Sequence, residues 1–318
     1  MNKLSFVSAS VLPVKLLTNI DLVSAALSNK IIPWHVQLNP TNRCPLRCSF
    51  CSCENRDKML ELDFERAKDI ISQFKKLGTK AITITGGGDP LAYSHINELI
   101  EFIHDLQINI SLVTNGVLFK NLKIENVNKI TWCRISISDE HIIDGDKLTD
   151  YLSIPIDWAF SYVLCNKKLN EDNIRSAIKI ATKYNFTHIR IVNDILDKSI
   201  NIEDVKILVD RLGLLKDKII YQGRKEYTKG NKKCLISLLK PNIGADGNIY
   251  PCCGVQYAKT NPDLNYSSDF SMGTDILDIY NNQKYFDGSI CSKCYYSEYN
   301  DVLSMMWNAC DLMHANFI

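Results

Sequence analysis

No apolar run in this chain reaches the ~18 residues that a membrane-crossing helix requires. The N-terminus, Met1-Asn-Lys-Leu-Ser-Phe-Val, lacks the combination of basic segment, long apolar core and cleavage site that marks a secretion signal. Excess charge is also missing: 37 basic residues against 36 acidic ones leave a net charge of +1. A general electrostatic attraction to nucleic acid is thereby excluded. Internal repeats and low-complexity segments are absent as well, which sets aside solenoid and fibrous architectures. What remains is a chain of 318 residues with an ordinary 46% of hydrophobic residues, enough for one large domain or two. A cytoplasmic protein is expected. Its twelve cysteines then belong in a reducing compartment, where clustered thiols bind metal or do chemistry rather than pair as disulfides.

Seven of the twelve fall into two ordered groups, 44/48/51 and 234/252/291/294. The first lies in Asn39-Pro-Thr-Asn-Arg-Cys-Pro-Leu-Arg-Cys-Ser-Phe-Cys51. Three thiolates on one short loop can hold three corners of a cubane iron–sulfur cluster and leave the fourth iron open to react. Zinc loops usually pair two ligands as C-x2–4-C and take the others from elsewhere. Phe50, directly before the third cysteine, sharpens the reading. Cys133 and Cys165 stand in strand-like runs and read as buried apolar residues. Cys53, Cys253 and Cys310 lie near the groups; Cys53 and Cys310 read as free thiols. For Cys53 an added ligand or donor role stays open.

Residues 15–29 carry leucines and valines at helical spacing and predict a short amphipathic helix. From Trp34 onward, short β-branched runs alternate with longer helical segments. The runs are His35–Leu38, Ala81–Thr85, Ile108–Val113, Ile130–Ile137, Trp158–Leu164 and His188–Val192. Between them lie Phe64–Leu77, Ile96–Leu106, Glu171–Tyr184 and Ile202–Leu212. Six strand-then-helix units imply parallel strands joined by right-handed crossovers. They are too few to close an eight-stranded barrel, so an open, curved α/β sheet is expected, an open partial (βα)6 TIM-like barrel with its active loops at the C-terminal strand ends. After about Leu215 the composition changes. The expected divisions are an N-terminal helical extension (1–33), the partial barrel (34–215) and a small α+β domain (216–318). Within the last, 216–233 holds seven basic residues (Lys216, Lys218, Arg224, Lys225, Lys229, Lys232, Lys233) and two acidic ones, and reads as a solvated linker, with a patch that attracts an acidic substrate or redox partner as the alternative.

The second run leads into Gly86-Gly-Gly-Asp-Pro90, where the backbone can approach a ligand closely. The third ends Leu112-Val-Thr-Asn-Gly116. The fourth reads Arg134-Ile-Ser-Ile-Ser-Asp139, whose alternation puts Ser136 and Ser138 on one face. Taken with the cysteine loop, these stretches resemble the radical S-adenosylmethionine (SAM) superfamily. The resemblance covers most of residues 34–295. It implies a [4Fe-4S] cluster on Cys44, Cys48 and Cys51 that chelates SAM through its open iron. It also implies SAM contacts around Phe50, Gly86, Gly87, Gly88, Asp89, Thr114, Asn115, Ser136, Ser138 and Arg190. Asp89 stands where the family's Gly-Gly-Glu-Pro motif has Glu, one methylene longer, which leaves a contact by Asp89 itself open. Arg190 could hold the SAM carboxylate or a substrate acid. Tyr93, His95 and His141 fall near the active face and read as ordinary surface residues.

Further along, Cys234, Gly247-Asn-Ile-Tyr-Pro-Cys252 and Cys291-Ser-Lys-Cys294 resemble the auxiliary-cluster domain of many radical SAM enzymes. Residues 295–309 contain no cysteine, so the pattern matches the shortened "twitch" form of the SPASM domain. One auxiliary iron–sulfur cluster, again [4Fe-4S], is implied on Cys234, Cys252, Cys291 and Cys294, relaying electrons. Tetrahedral zinc at this C-x2-C group and Cys253 in place of Cys252 remain alternatives. The implied activity is reductive cleavage of SAM to a 5′-deoxyadenosyl radical, followed by hydrogen abstraction in oxidation or crosslinking of a ribosomal peptide. Oxidation of a sugar or nucleoside is the alternative, and a non-catalytic iron–sulfur carrier the third. Implied partners are the substrate, an electron donor such as flavodoxin or ferredoxin, and a separate leader-peptide recognition protein, since residues 1–33 are too few to hold such a domain. No membrane or nucleic-acid partner is expected.

Overall fold

The computed structural model describes residues 12–54, 56–165, 170–194, 201–211, 218–222, 228–255, 269–292 and 294–308. Cys310 and the basic residues Lys216, Arg224 and Lys225 lie outside these. Among the described residues nine strands belong to one sheet that does not close on itself, and the open, partial-barrel α/β architecture stands. The chain divides into two compact units, one of residues 1–38, 65–81 and 226–318 and one of residues 39–64 and 82–225.

In the second unit the strands are β2 (Ala81–Ile84, entering from the other unit), β3 (Asn109–Thr114), β4 (Trp132–Ser138), β5 (Asp157–Leu164), β6 (His188–Asn193) and β7 (Ile219–Gln222). From β3 to β7 each strand pairs in parallel with the next. The register carries Ser136 opposite Ser161 and Ser161 opposite Arg190. Because side chains alternate along a strand, this register sorts the sheet into two faces. One presents Leu112, Ile135, Phe160 and Ile189, all buried, with Phe186 packed on Phe160 at 4.6 Å between ring centroids. The helices Ile96–Asp105 and Glu171–Lys183 contribute buried stripes at i, i+3, i+4 and i+7: Ile96, Leu99, Ile100 and Ile103 in one, Ile174, Ala177, Ile178 and Ala181 in the other. The opposite face presents Ser111, Arg134, Ser136, Ser161, His188 and Arg190. A parallel sheet with one polar face is built to line something other than helices.

β7 is a seventh parallel strand that the sequence pattern does not announce. It is four residues long and follows the charged Lys216-Asp217-Lys218, which hides it. The expected helix over 15–29 is two helices, Leu12–Leu17 and Ile20–Leu27. The break lies at Thr18 and Asn19, whose side chains both donate to the Lys15 carbonyl at 2.7 Å and so compete with the helix ladder.

In the first unit β1 (His35–Leu38) pairs in parallel with β8 (Asn242–Ile243), which turns back antiparallel into β9 (Ile249–Tyr250). Gly247 makes that turn possible with φ at +76°, a left-handed conformation costly to other residues. The helix Phe64–Lys76, all but its first residue in this unit, buries Ala67, Ile70, Ile71 and Phe74. Phe74 meets Tyr280 edge-on at 6.0 Å. No helix among the described residues is long and apolar enough to cross a membrane.

Two histidines tie stability to pH. Burial and the nearby Arg134 and Arg190 push His188 from its ordinary 6.5 down to about 4, and burial holds His35 well below 6.5. Both are neutral in the fold and gain a proton more readily when unfolded. The contribution of His188 to stability is therefore complete above pH 6.5 and is lost as pH falls from 6.5 through about 4, and His35 acts in the same direction. Urea midpoints should drop across that window, and His188→Asn should flatten the drop.

Candidate active site

The cysteine loop follows directly on β1, and Asn39 to Phe64 belong to the same unit as the Gly-rich turn after β2. Backbone bonds join the two: Gly88 N donates to Thr41 O at 3.0 Å and Asp89 N to Arg43 O at 2.7 Å. A Cβ at Gly88 would collide with the Arg43 carbonyl, and one at Gly87 with the Asn42 side chain. At Gly88 glycine is required because backbone meets backbone. Cys44, Cys48 and Cys51 are all half-buried. Burial and the charges of Cys44 and Cys51 push the Cys48 thiol up to about 11, and burial also raises Cys44. Two thiols raised in this way become thiolates together only against a strongly cationic group.

Asp89 is buried and its carboxylate is fully engaged within the protein. It accepts Thr114 Oγ1 at 2.8 Å, Asn115 N at 2.7 Å and Leu91 N at 2.9 Å. The shorter side chain thus ties the Gly-rich turn to the end of β3. Asn115 continues the chain of contacts: its Nδ2 donates to Cys44 Sγ at 3.5 Å, and its carbonyl lies 3.1 Å from His141 Nε2. Replacing Asp89 by Ala strands three buried or half-buried donors. At ~1–3 kcal/mol for each unmet group, a loss of ~3 kcal/mol or more is expected, read from the urea denaturation curve.

Ser138, at the end of β4, accepts Glu140 N at 3.2 Å and His141 N at 3.1 Å. Glu140 in turn clasps the cysteine loop, accepting Ser49 N at 3.0 Å and the Ser49 hydroxyl. This contact spans 91 positions and had no signal in the sequence. Ser136 lies on the polar face in register with Ser161, to which Arg190 Nη2 donates at 2.8 Å. Phe50 is half-buried on the loop. Of the residues read as surface ones, Tyr93 is buried and donates to Leu62 O at 2.9 Å, while His95 stacks on Phe64 at 5.0 Å. Cys133 is buried as expected. Cys165 is only half-buried, just past the C-terminal end of β5, close enough for its charge to act on Cys48.

The second cysteine group lies in the other unit. The β8–β9 hairpin delivers Cys252, and Cys252 and Cys291 pack beside Tyr250, Val255 and Phe270. Loop bonds bring the rest together: Cys234 N to Phe286 O at 3.1 Å, Gly230 N to Cys291 O at 2.9 Å and Cys294 N to Thr228 O at 2.7 Å. Burial raises Cys234 to about 12, with Cys294 and Cys291 adding to it. Burial also raises Cys252, and the charges of Cys253, Cys234 and Cys294 act in the same direction. Cys253 instead sets its sulfur 3.3 Å from Tyr296 Oη. Among the described residues no three His, Cys, Asp or Glu converge as ligands of one metal ion. A cubane asks for a different arrangement, since each thiolate takes its own iron.

Residues 38–212, more than half of the chain, match the Radical SAM superfamily, and the chain belongs to it. It is a radical SAM enzyme, of a family that uses a [4Fe-4S] cluster and SAM. More particularly, it is 28% identical over 124 residues to the PqqA peptide cyclase of Bradyrhizobium diazoefficiens, covering 38% of this chain and 32% of that one. It is 26% identical over 205 residues to the GTP 3′,8-cyclase of Syntrophomonas wolfei, 55% of this chain and 62% of that one. The chain therefore spans less than two thirds of either relative. Streptococcus suis SuiB bound to precursor peptide SuiA shares its fold, with a TM-score of 0.59 at 18% identity over 87% of this chain and 71% of that one.

Proposed function

We propose that this enzyme matures a peptide, cleaving SAM at the first cysteine loop and oxidising or crosslinking a peptide side chain. The observation that carries the proposal is the joining of Cys44, Cys48 and Cys51 to the Gly86–Gly88 turn by the Gly88 and Asp89 backbone bonds. The donor set fits a cluster with one open iron, and the Cβ-free turn leaves room for a close-lying ligand. When bound there, the cluster and SAM supply a 5′-deoxyadenosyl radical that takes a hydrogen atom from the substrate. The chain's own residues hold and orient. Asp89 locks the Gly-rich turn to β3. Glu140 and Asn115 fix the cysteine loop from two sides. Ser136 and Arg190 offer hydroxyl and guanidinium groups toward SAM or substrate, while buried Ser138 holds the turn after β4 through Glu140 N and His141 N.

In the 216–318 region, Cys234, Cys252, Cys291 and Cys294 would hold an auxiliary cluster, and four thiolates suit electron relay rather than substrate binding. A peptide substrate is supported by the similarity to a peptide cyclase and by the fold shared with a peptide-bound enzyme. An external one-electron donor and a separate leader-recognition protein complete the proposal. A nucleotide or other small-molecule substrate is the second reading, favoured by the longer match to a GTP cyclase. The test is anaerobic reconstitution with iron and sulfide, then SAM and a strong reductant, with 5′-deoxyadenosine measured with and without precursor peptides encoded beside the gene. Formation stimulated by a peptide supports the proposal. Stimulation by nucleotides or sugars alone moves the assignment to the second reading.

A further inference from the structure

The three thiols of the first loop have unlike surroundings. Arg56 Nη1 donates to Cys51 Sγ at 3.4 Å. The same guanidinium is pinned by Nε to Asn42 O at 2.7 Å and by Nη1 to Cys53 O. Cys44 Sγ accepts a neutral N–H from Asn115. Cys48 is faced by negative charge: Glu140, held next to it by Ser49, acts on this thiol. One corner of the site thus carries a fixed cation and another a carboxylate.

Arginine keeps its charge at any working pH, and its clasp across the loop is complete without the bond to sulfur. Reducing a cluster adds one negative charge. A cation or N–H on a ligand sulfur stabilises the reduced form, and a carboxylate opposes it. We infer that Arg56 raises, and Glu140 lowers, the reduction potential of the cluster held by Cys44, Cys48 and Cys51. Together they set how readily an external donor can charge it. The inference rests on the reading of those cysteines as cluster ligands. The step is the transfer of a single electron from an external low-potential donor, and no bond in the protein forms or breaks. Arg56 is a positioning residue that acts through Cys51.

The test is a potentiometric titration of the reconstituted full chain, followed by electron paramagnetic resonance. The signal that changes on adding SAM identifies the first cluster. Arg56→Gln should lower the reduced-to-oxidised ratio at fixed potential about tenfold, a shift of about 59 mV for a one-electron couple. Arg56→Lys should fall between Arg56→Gln and the parent. Glu140→Gln should shift the potential the opposite way. Iron-loaded Arg56→Gln and Glu140→Gln proteins with the parent potential would overturn the inference. If Arg56→Gln loads no iron, Glu140→Gln decides: an upward shift supports the inference, and no shift or a downward one overturns it. A parent protein that takes up no cluster on these cysteines would instead sink the ligand reading itself.

Discussion

Replacing Cys44, Cys48 and Cys51 together by Ala is expected to bring 5′-deoxyadenosine formation down to background. The three half-buried thiols sit on one loop, and with none of them the cluster has no protein ligand there. The fold should survive the change. The loop is tied to the Gly-rich turn through Gly88 N and Asp89 N, and to β4 through Glu140 and Ser49, and none of these bonds involves a cysteine side chain. Unchanged circular dichroism alongside lost activity would separate ligand loss from misfolding. Activity retained by this variant would refute the assignment of the first loop.

Cys291→Ala with Cys294→Ala should act differently. Total iron should fall by the share of one of two clusters, roughly half, while 5′-deoxyadenosine formation persists. Both cysteines are raised by burial, and the charge of Cys294 adds to the rise at Cys291. The two thus lie close to each other, in a different unit from the first loop. Iron content equal to that of the parent would remove them from the ligand set. One zinc per chain lost in place of iron would make the group a structural metal site.

The strands were readable because each is a compact β-branched run between helical segments, as in Ala81–Ile84 and His188–Asn193. β7 was not, because four residues beside a charged stretch carry too little periodicity. The two short helices at Leu12–Leu17 and Ile20–Leu27 looked like one because Thr18 and Asn19 break the ladder through side-chain bonds that composition does not reveal. In the site, the cysteine spacing and the glycine turn were visible as local motifs. The roles of Asp89, Glu140 and Arg56 were not. Asp89 reaches Thr114 and Asn115 across 25 and 26 positions, and such partners exist only once the sheet has set its register. Tyr93, read as exposed, is buried for the same reason: its partner Leu62 lies 31 positions away.

The bonds around the two cysteine groups also bear on the order in which this protein can be assembled. The first loop is laced to the Gly-rich turn, to the end of β4 and to its own flank by Arg56. Under the proposed assignment iron would therefore meet a seat that the polypeptide itself holds, and could leave and return without the chain being remade. The second group sits instead among apolar packing, with Cys252 and Cys291 beside Tyr250, Val255 and Phe270 and with Cys234 opening the buried stretch from Leu235 to Leu239. Loss of iron to oxygen at the proposed first site would thus be repairable in place by fresh iron and sulfide.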